Sequence, residues 1–196
     1  ASGELDGERA EFYDAAILCY DAILDYMARL HAEACRVGNA EFAQCIRALS
    51  EHAPSTLYQA MELSLFYMSV EEIGRERCRS LGDLDVLYAP FYRADVESGR
   101  LKKEDVRELF RFFFAKIHAG KRYADQPVCF GGYDEHGETA VSDLTLLALE
   151  TYRELRISNP KLHIRWNEKF PDAALYFLVE MMREGNNSIV ILNDEA

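Results

Sequence analysis

The sequence lacks most of the signatures that announce a chemistry. None of its five cysteines, Cys19, Cys35, Cys45, Cys78 and Cys129, forms a C-x-x-C pair. An odd, scattered set argues against a disulfide framework and a structural zinc site, and for reduced thiols. The histidines, His31, His52, His118, His136 and His163, contain no H-x-x-x-H pair, so no metal site is expected. No apolar run approaches the roughly 20 residues of a membrane helix. Residues 1–6 are neither basic nor apolar enough for a signal peptide. Gly131-Gly132 lacks the spacing of a phosphate loop. Ser80 precedes Leu81-Gly82 and so sits in no nucleophile elbow. Positive charge is also scarce: 22 Lys and Arg stand against 34 Asp and Glu, a net charge of −12. That balance disfavours a surface that neutralises phosphates, so no nucleic-acid partner is expected. These absences together suggest a cytoplasmic protein without membrane, nucleic-acid or metal partners.

What is present is enough for a core. The chain has 196 residues, 49% hydrophobic and 29% charged, which fits one domain with a sizeable interior. Apolar residues at helical spacing (Phe12, Ala16, Cys19, Ile23, Met27, Leu30) predict a helix over 9–37, stopped at Gly38-Asn39. A second helix is expected over 41–51. A third starts at Pro54, whose missing N–H costs nothing in a first turn. Helices follow over 85–97 and 103–118, the latter with a wide stripe of Val106, Leu109, Phe110, Phe113, Phe114 and Ile117.

Beyond residue 127 the pattern alternates. Val128-Cys129-Phe130 reads as a strand closed by Gly131-Gly132, 139–156 as a helix and 162–166 as a period-two strand. A helix from Pro171 to Met182 and a closing strand, Ser188-Ile189-Val190-Ile191-Leu192, complete the series. Strands alternating with helices imply an α/β fold with parallel strands joined by helical crossovers. The division is thus a helical region over 1–74 and strand–helix repeats over 75–196. The last strand has the continuous apolar pattern of one buried on both faces. With four residues after it, the chain is expected to be a segment of a larger core.

Few residues suggest chemistry. Asp83 and Asp85 flank Leu84 before a helix and are expected to cap its amino terminus. Arg75, Arg77 and Arg79 alternate in an otherwise acidic chain. They either form ion pairs with Glu71, Glu72, Asp83 and Asp85, or hold a carboxylate, phosphate or sulfonate. His163 shares a strand with Arg165 and Trp166 and reads as a hydrogen-bonded sheet residue.

In order along the chain stand Ser80-Leu81-Gly82-Asp83-Leu84-Asp85, Tyr88-Ala89-Pro90-Phe91-Tyr92, Gly131-Gly132-Tyr133-Asp134 with Gly137, Asn159 to Trp166, and Leu192-Asn193-Asp194-Glu195. Their order and spacing resemble the glycyl radical enzymes of the pyruvate formate-lyase type. The resemblance implies a ten-stranded α/β barrel, of which 1–196 would be an internal segment of about one half-barrel. Asp83 departs from the pattern, since an Arg usually follows S-L-G there.

The resemblance implies a parent enzyme that is a radical lyase, dehydratase or formate acyltransferase on a small polar or anionic substrate. The parent would carry a glycyl radical, installed by a separate activating enzyme and passed to a cysteine. Neither the radical glycine nor that cysteine matches a residue here, so no catalytic residue and no cofactor are expected within the chain. By position in the family, Arg77, Cys78, Gln126, Cys129 and Phe130 would face the substrate. The partners would be the rest of the barrel or a second copy. The other reading is a non-catalytic relative that self-associates or docks a partner through faces such as Phe110, Phe113 and Phe114.

Overall fold

The computed structural model describes residues 7–74, 80–120 and 127–196. They fall into two compact units, Ala1–Pro54 and Ser55–Ala196. The first is a helical pair. Helix α1 spans Gly7–Arg36 and α2 spans Ala40–Glu51. Gly38 adopts φ +77°, which ends α1, and Asn39 caps α2 by accepting the Phe42 N–H at 3.1 Å. Met27, Ala34, Ala43, Cys45 and Ile46 are the buried residues of the pair.

The second unit contains α3 (Leu57–Ile73), α4 (Leu84–Glu97), α5 (Lys103–Ala119), β1 (Pro127–Gly131), α6 (Asp143–Leu155), β2 (Lys161–Trp166), α7 (Asp172–Arg183) and β3 (Ile189–Asn193). The three strands are parallel, as the alternating pattern implies, and lie in the order β1-β2-β3. Two helix starts differ from the sequence expectation. Pro54 lies outside α3, whose cap is Thr56, accepting the Gln59 N–H at 3.2 Å. The buried Asp95 carboxylate also accepts the Leu57 N–H at 2.8 Å, so long-range capping sets this start. Helix α6 begins at Asp143 rather than near Thr139. Residues 133–139 instead form a tight turn in which Tyr133 and Thr139 bridge and Asp134 accepts the His136 and Glu138 N–H groups at 2.8 and 2.9 Å. Local Asx bonding there outcompetes helix propensity.

The core of this unit is helix against sheet. Val128, Phe130, Leu162 and Ile164 project from one face of β1 and β2 into a cluster with Leu57, Tyr88, Phe110, Phe114, Leu149 and Leu178. Rings meet edge-on between Phe114 and Tyr152 at 5.2 Å and between Tyr88 and Phe113 at 6.1 Å. Each such pair adds about 0.5–1.5 kcal/mol beyond area burial. Phe110, Phe113 and Phe114 are at most 2% exposed, so they belong to this core. That corrects the reading of these three residues as a docking face: the wide stripe on α5 is wide because neighbouring helices and the sheet cover it. Helix α3, expected to group with the helical region over 1–74, packs in the second unit with α4 and α5. Among the described residues no helix is long and apolar enough to cross a membrane.

Strand alternation leaves Cys129, His163, Arg165, Val190 and Leu192 on the opposite face of the sheet by register. None of them is fully buried. At β3 the burial fades: Val190, Ile191 and Leu192 are about 40% exposed on both faces of a strand that pairs with β2.

Candidate functional site at the strand ends

In parallel sheets, loops leaving the carboxyl ends of the strands are where ligands gather. Here those ends are Gly131, Trp166 and Asn193. Gly131 and Gly132 follow each other at φ +84° and +80°, a region that L side chains rarely adopt. A Cβ on Gly131 would lie 2.5 Å from the Arg165 carbonyl oxygen. A Cβ on Gly132 would lie 3.0–3.2 Å from the Arg165 guanidinium. The two glycines thus form a bare backbone bed on which Arg165 rests, and the Gly132 N–H donates to the Arg165 carbonyl at 2.8 Å.

Arg165 is held from two sides. Its Nη1 donates to Asp83 Oδ2 at 2.5 Å and its Nε to Asp194 Oδ1 at 3.3 Å. Its Nη2 also lies 2.8 Å from Asp194 Oδ2, close enough for an ion pair although not aligned as a hydrogen bond. The hydrogen bond to Asp194 and the field of both carboxylates hold the guanidinium above its ordinary pKa. Asp83 reaches this position because the Gly82 carbonyl accepts the Cys129 N–H at 3.1 Å, extending the sheet past β1 by one bridge. Beside this group the Tyr133 hydroxyl donates to Glu195 Oε1. That bond pushes the Tyr133 phenol up to about 12.

Asp85 lies behind the bed. It is 1% exposed, and its two oxygens accept from the Gly131 N–H and the Thr145 hydroxyl. Burial pushes its carboxyl up to about 7 against those two hydrogen bonds, with the nearby Asp83 charge acting in the same direction as burial. The Cys129 thiol is half-buried next to Asp83, and both burial and that charge raise its pKa. Such a thiol is a poor nucleophile at neutral pH.

Of the residues expected to face a substrate, Arg77, Cys78 and Gln126 lie outside the described residues. So do Arg75 and Arg79; Asp83, one of their suggested partners, is engaged by Arg165. Cys129 sits at the strand-end cluster. Phe130 does not. It is 1% exposed in the helix-side core, because alternation turns it to the face opposite Cys129. Asp83 and Asp85 are not caps either: Asp83 precedes α4 without a side-chain capping bond, and both carboxylates reach across to other elements. Sequence reasoning leaves the central Arg165 as no more than a strand neighbour of His163. The period-two run of β2 and the Asn193-Asp194-Glu195 sequence just past β3 are the signals that could pair it with Asp194.

A family model described as "Pyruvate formate lyase-like" matches residues 2–196. The (2S)-3-sulfopropanediol dehydratase of Klebsiella oxytoca is 25% identical over 96% of the chain, and the isethionate sulfite-lyase of Bilophila wadsworthia 26% identical over 96%. The chain spans 26% of the length of each of these relatives. Among solved structures, a glycyl radical enzyme from Archaeoglobus fulgidus matches 99% of the chain with a TM-score of 0.90 at 24% identity, over 28% of its own length. The glycerol-bound B12-independent glycerol dehydratase of Clostridium butyricum matches 99% of the chain, and 28% of its own, at 0.88 and 20%. These structural likenesses concern the fold.

Proposed function

We propose, from the premise that this chain belongs to the pyruvate formate lyase-like family, that it forms one wall of the substrate barrel of a glycyl radical enzyme. The parent is a radical lyase, dehydratase or acyltransferase acting on a small polar or anionic substrate. Residues 1–196 are a partial barrel domain, about one half-barrel, and the enzyme works in the cytoplasm. The observation that carries this reading is the strand-end cluster: Arg165 between Asp83 and Asp194 on a glycine bed, on the sheet face away from the helix-packed core. The state of β3 supports it too. A strand with Val190, Ile191 and Leu192 half-exposed on both faces wants a further strand and cover from the rest of the barrel. Pairing with a second copy is the alternative occupant of that edge.

In such an enzyme, a glycyl radical installed by a separate activating enzyme supplies hydrogen-atom abstraction through a cysteine thiyl, both from regions of the parent outside this chain. The residues here have a different task. Arg165, held in place before any ligand arrives, offers a fixed donor and a fixed charge pattern, and costs no reorganisation during turnover. Cys129, whose thiol pKa is pushed up by burial and by the Asp83 charge, is a wall residue beside it. Arg77, Cys78 and Gln126 are the further wall residues this reading assigns.

The test uses the longer polypeptide that carries this segment. Treated anaerobically with its activating enzyme, it should develop the doublet electron paramagnetic resonance signal of a glycyl radical. The Arg165→Met variant should keep that signal and lose most turnover. A polypeptide that develops no radical, or an R165M enzyme with unchanged turnover, contradicts the proposal.

A further inference from the structure

Helix α1 is longer than the helix that covers it. It has 30 residues against 12 in α2, which is about 45 Å against about 18 Å at the usual rise per residue. Positions 13, 16, 20, 23, 27, 30 and 34 of α1 are all apolar. Their steps alternate between three and four, the repeat by which one helix packs along another. The carboxyl half of this seam is covered in the pair with α2, where Met27 is 3% exposed and Ala34 4%. The amino half is bare. Tyr13 is 52% exposed and Tyr20 68%, and Phe12, Ile17 and Leu24 along its margins are exposed too. The seam therefore runs on past the part that α2 covers. A contiguous apolar strip of this kind marks a contact surface. Charge stands away from it: at about 100° per residue, Glu11, Asp14, Asp21 and Asp25 fall on the opposite side of the helix, as does the exposed Leu18.

We propose that a second copy of this chain covers the bare half: two α1 helices pack antiparallel through their amino-terminal halves, about a twofold axis level with residue 18. The strip is its own complement. In that register Tyr20 of one copy lies against Ala16 of the other, and Tyr13 against the half-buried Ile23; the axis repeats both layers. Large residues thus meet small ones at the centre, where the backbones approach. In each copy α2 then covers the carboxyl half of the seam, and the other copy's α1 continues that cover over the amino half. The contact uses one patch on both copies, so it closes at two. Its overlap of about four helical turns is at the small end of interface sizes, so the pair forms in the micromolar range rather than the nanomolar. The acidic side chains of α1 face outward from the seam. The net charge of −12 on each copy still opposes association at long range, so added salt strengthens the pair. The seam lies in the first unit and owes nothing to the reaction assigned to the strand-end site.

Sedimentation equilibrium of this chain tests the pairing. The wild type should show a monomer–dimer equilibrium that tightens with salt. Tyr20→Asp places a charge in the seam and should weaken the dimer at least tenfold. Leu18→Asp makes a like change on the opposite side of the same helix and should leave it unaltered; both positions are exposed, so circular dichroism should show α1 intact in each variant. A short bismaleimide should join Cys19 of one copy to Cys19 of the other, because Cys19 lies on the margin of the seam beside the axis. It should not join Cys35 to Cys35, which stand at opposite ends of the pair although both are exposed. Peptide mass spectrometry identifies the linked residues in the wild type without any substitution. A chain that is monomeric at every concentration and salt overturns the proposal. So does a dimer indifferent to Tyr20→Asp, as pairing through β3 would be, or one weakened equally by Leu18→Asp. In the longer polypeptide, loss of the Cys19 cross-link together with protection of Tyr20 from hydroxyl-radical labelling would place another part of that polypeptide in the seam, and would overturn it as well.

Discussion

Replacing Gly131 by alanine should damage the second unit far more than the same change at Gly137, although both glycines have positive φ. Gly137 adopts φ +72° with nothing within 4 Å of an added methyl, so Gly137→Ala isolates the backbone penalty alone. That penalty is about 1–2 kcal/mol for an L residue in the left-handed region. Gly131 adds a collision. Its Cβ would stand 2.5 Å from the Arg165 carbonyl oxygen and 3.0 Å from Phe170 Cε2, and the first of these is backbone in the paired strand. Relief requires β1 to move away from β2 at its carboxyl end. That endangers the Gly132-to-Arg165 hydrogen bond and the Gly131-to-Asp85 hydrogen bond, each worth about 1 kcal/mol net. The expected cost of Gly131→Ala is therefore about 3–5 kcal/mol, at least about 2 kcal/mol beyond Gly137→Ala. Trp166, the single tryptophan, lies on β2 beside Arg165 and reports this unit by fluorescence. With a urea slope of about 2 kcal/mol/M, the two midpoints should differ by about 1 M. Midpoints that coincide within about 0.3 M would refute the reasoning that the bed is closed by the Arg165 backbone.

Three further outcomes follow from the same cluster. Arg165→Met leaves Asp83 and Asp194 facing each other and should cost about 1–2 kcal/mol after solvent screening; adding Asp83→Asn should restore some of that loss, measured by the same urea titration. Because the Asp85 carboxyl is raised from 3.8 to about 7, the folded chain keeps a proton that the unfolded chain releases between those values. Stability should therefore fall as pH rises through that window, relative to D85N, approaching roughly 4 kcal/mol at pH 8; a difference that grows on acidification instead would reverse the sign and sink the assignment. Cys129 should alkylate with iodoacetamide more slowly than the exposed Cys19 and Cys35, and Asp83→Asn should speed it, as followed by peptide mass spectrometry.

The fold is readable where periodicity is strong and local. The α5 stripe from Val106 to Ile117 and the period-two run of β2 follow from apolar spacing, because packing geometry dictates that spacing, and the parallel pairing of the strands follows from their alternation with helices. Boundaries set by distant partners are not readable. The start of α3 depends on Asp95, 38 residues away, and α6 loses Thr139 to a turn built on the Asp134 side chain. The site is half readable. The expectation that the strand entering Gly131-Gly132 carries pocket residues, Cys129 among them, comes from the family resemblance, and Cys129 does lie beside Asp83. The centre of the site is not readable, because an ion pair between Arg165 and Asp83 spans 82 residues, and no spacing rule links those positions. Phe130 is misplaced for the opposite reason: a three-residue apolar run hides the alternation that sends it into the core.

The central claim is that the sheet face bearing Cys129 and Arg165, rather than the helix-packed face, is a wall of a substrate pocket. The most direct measurement is a crystal structure of the longer polypeptide soaked in turn with glycerol and with isethionate. The account predicts ligand density enclosed by the barrel and within contact distance of the strand-end group around Arg165, Cys129 and Asp83. Ligand density confined to the helix side of the sheet, or a barrel interior that this face does not line, would contradict it.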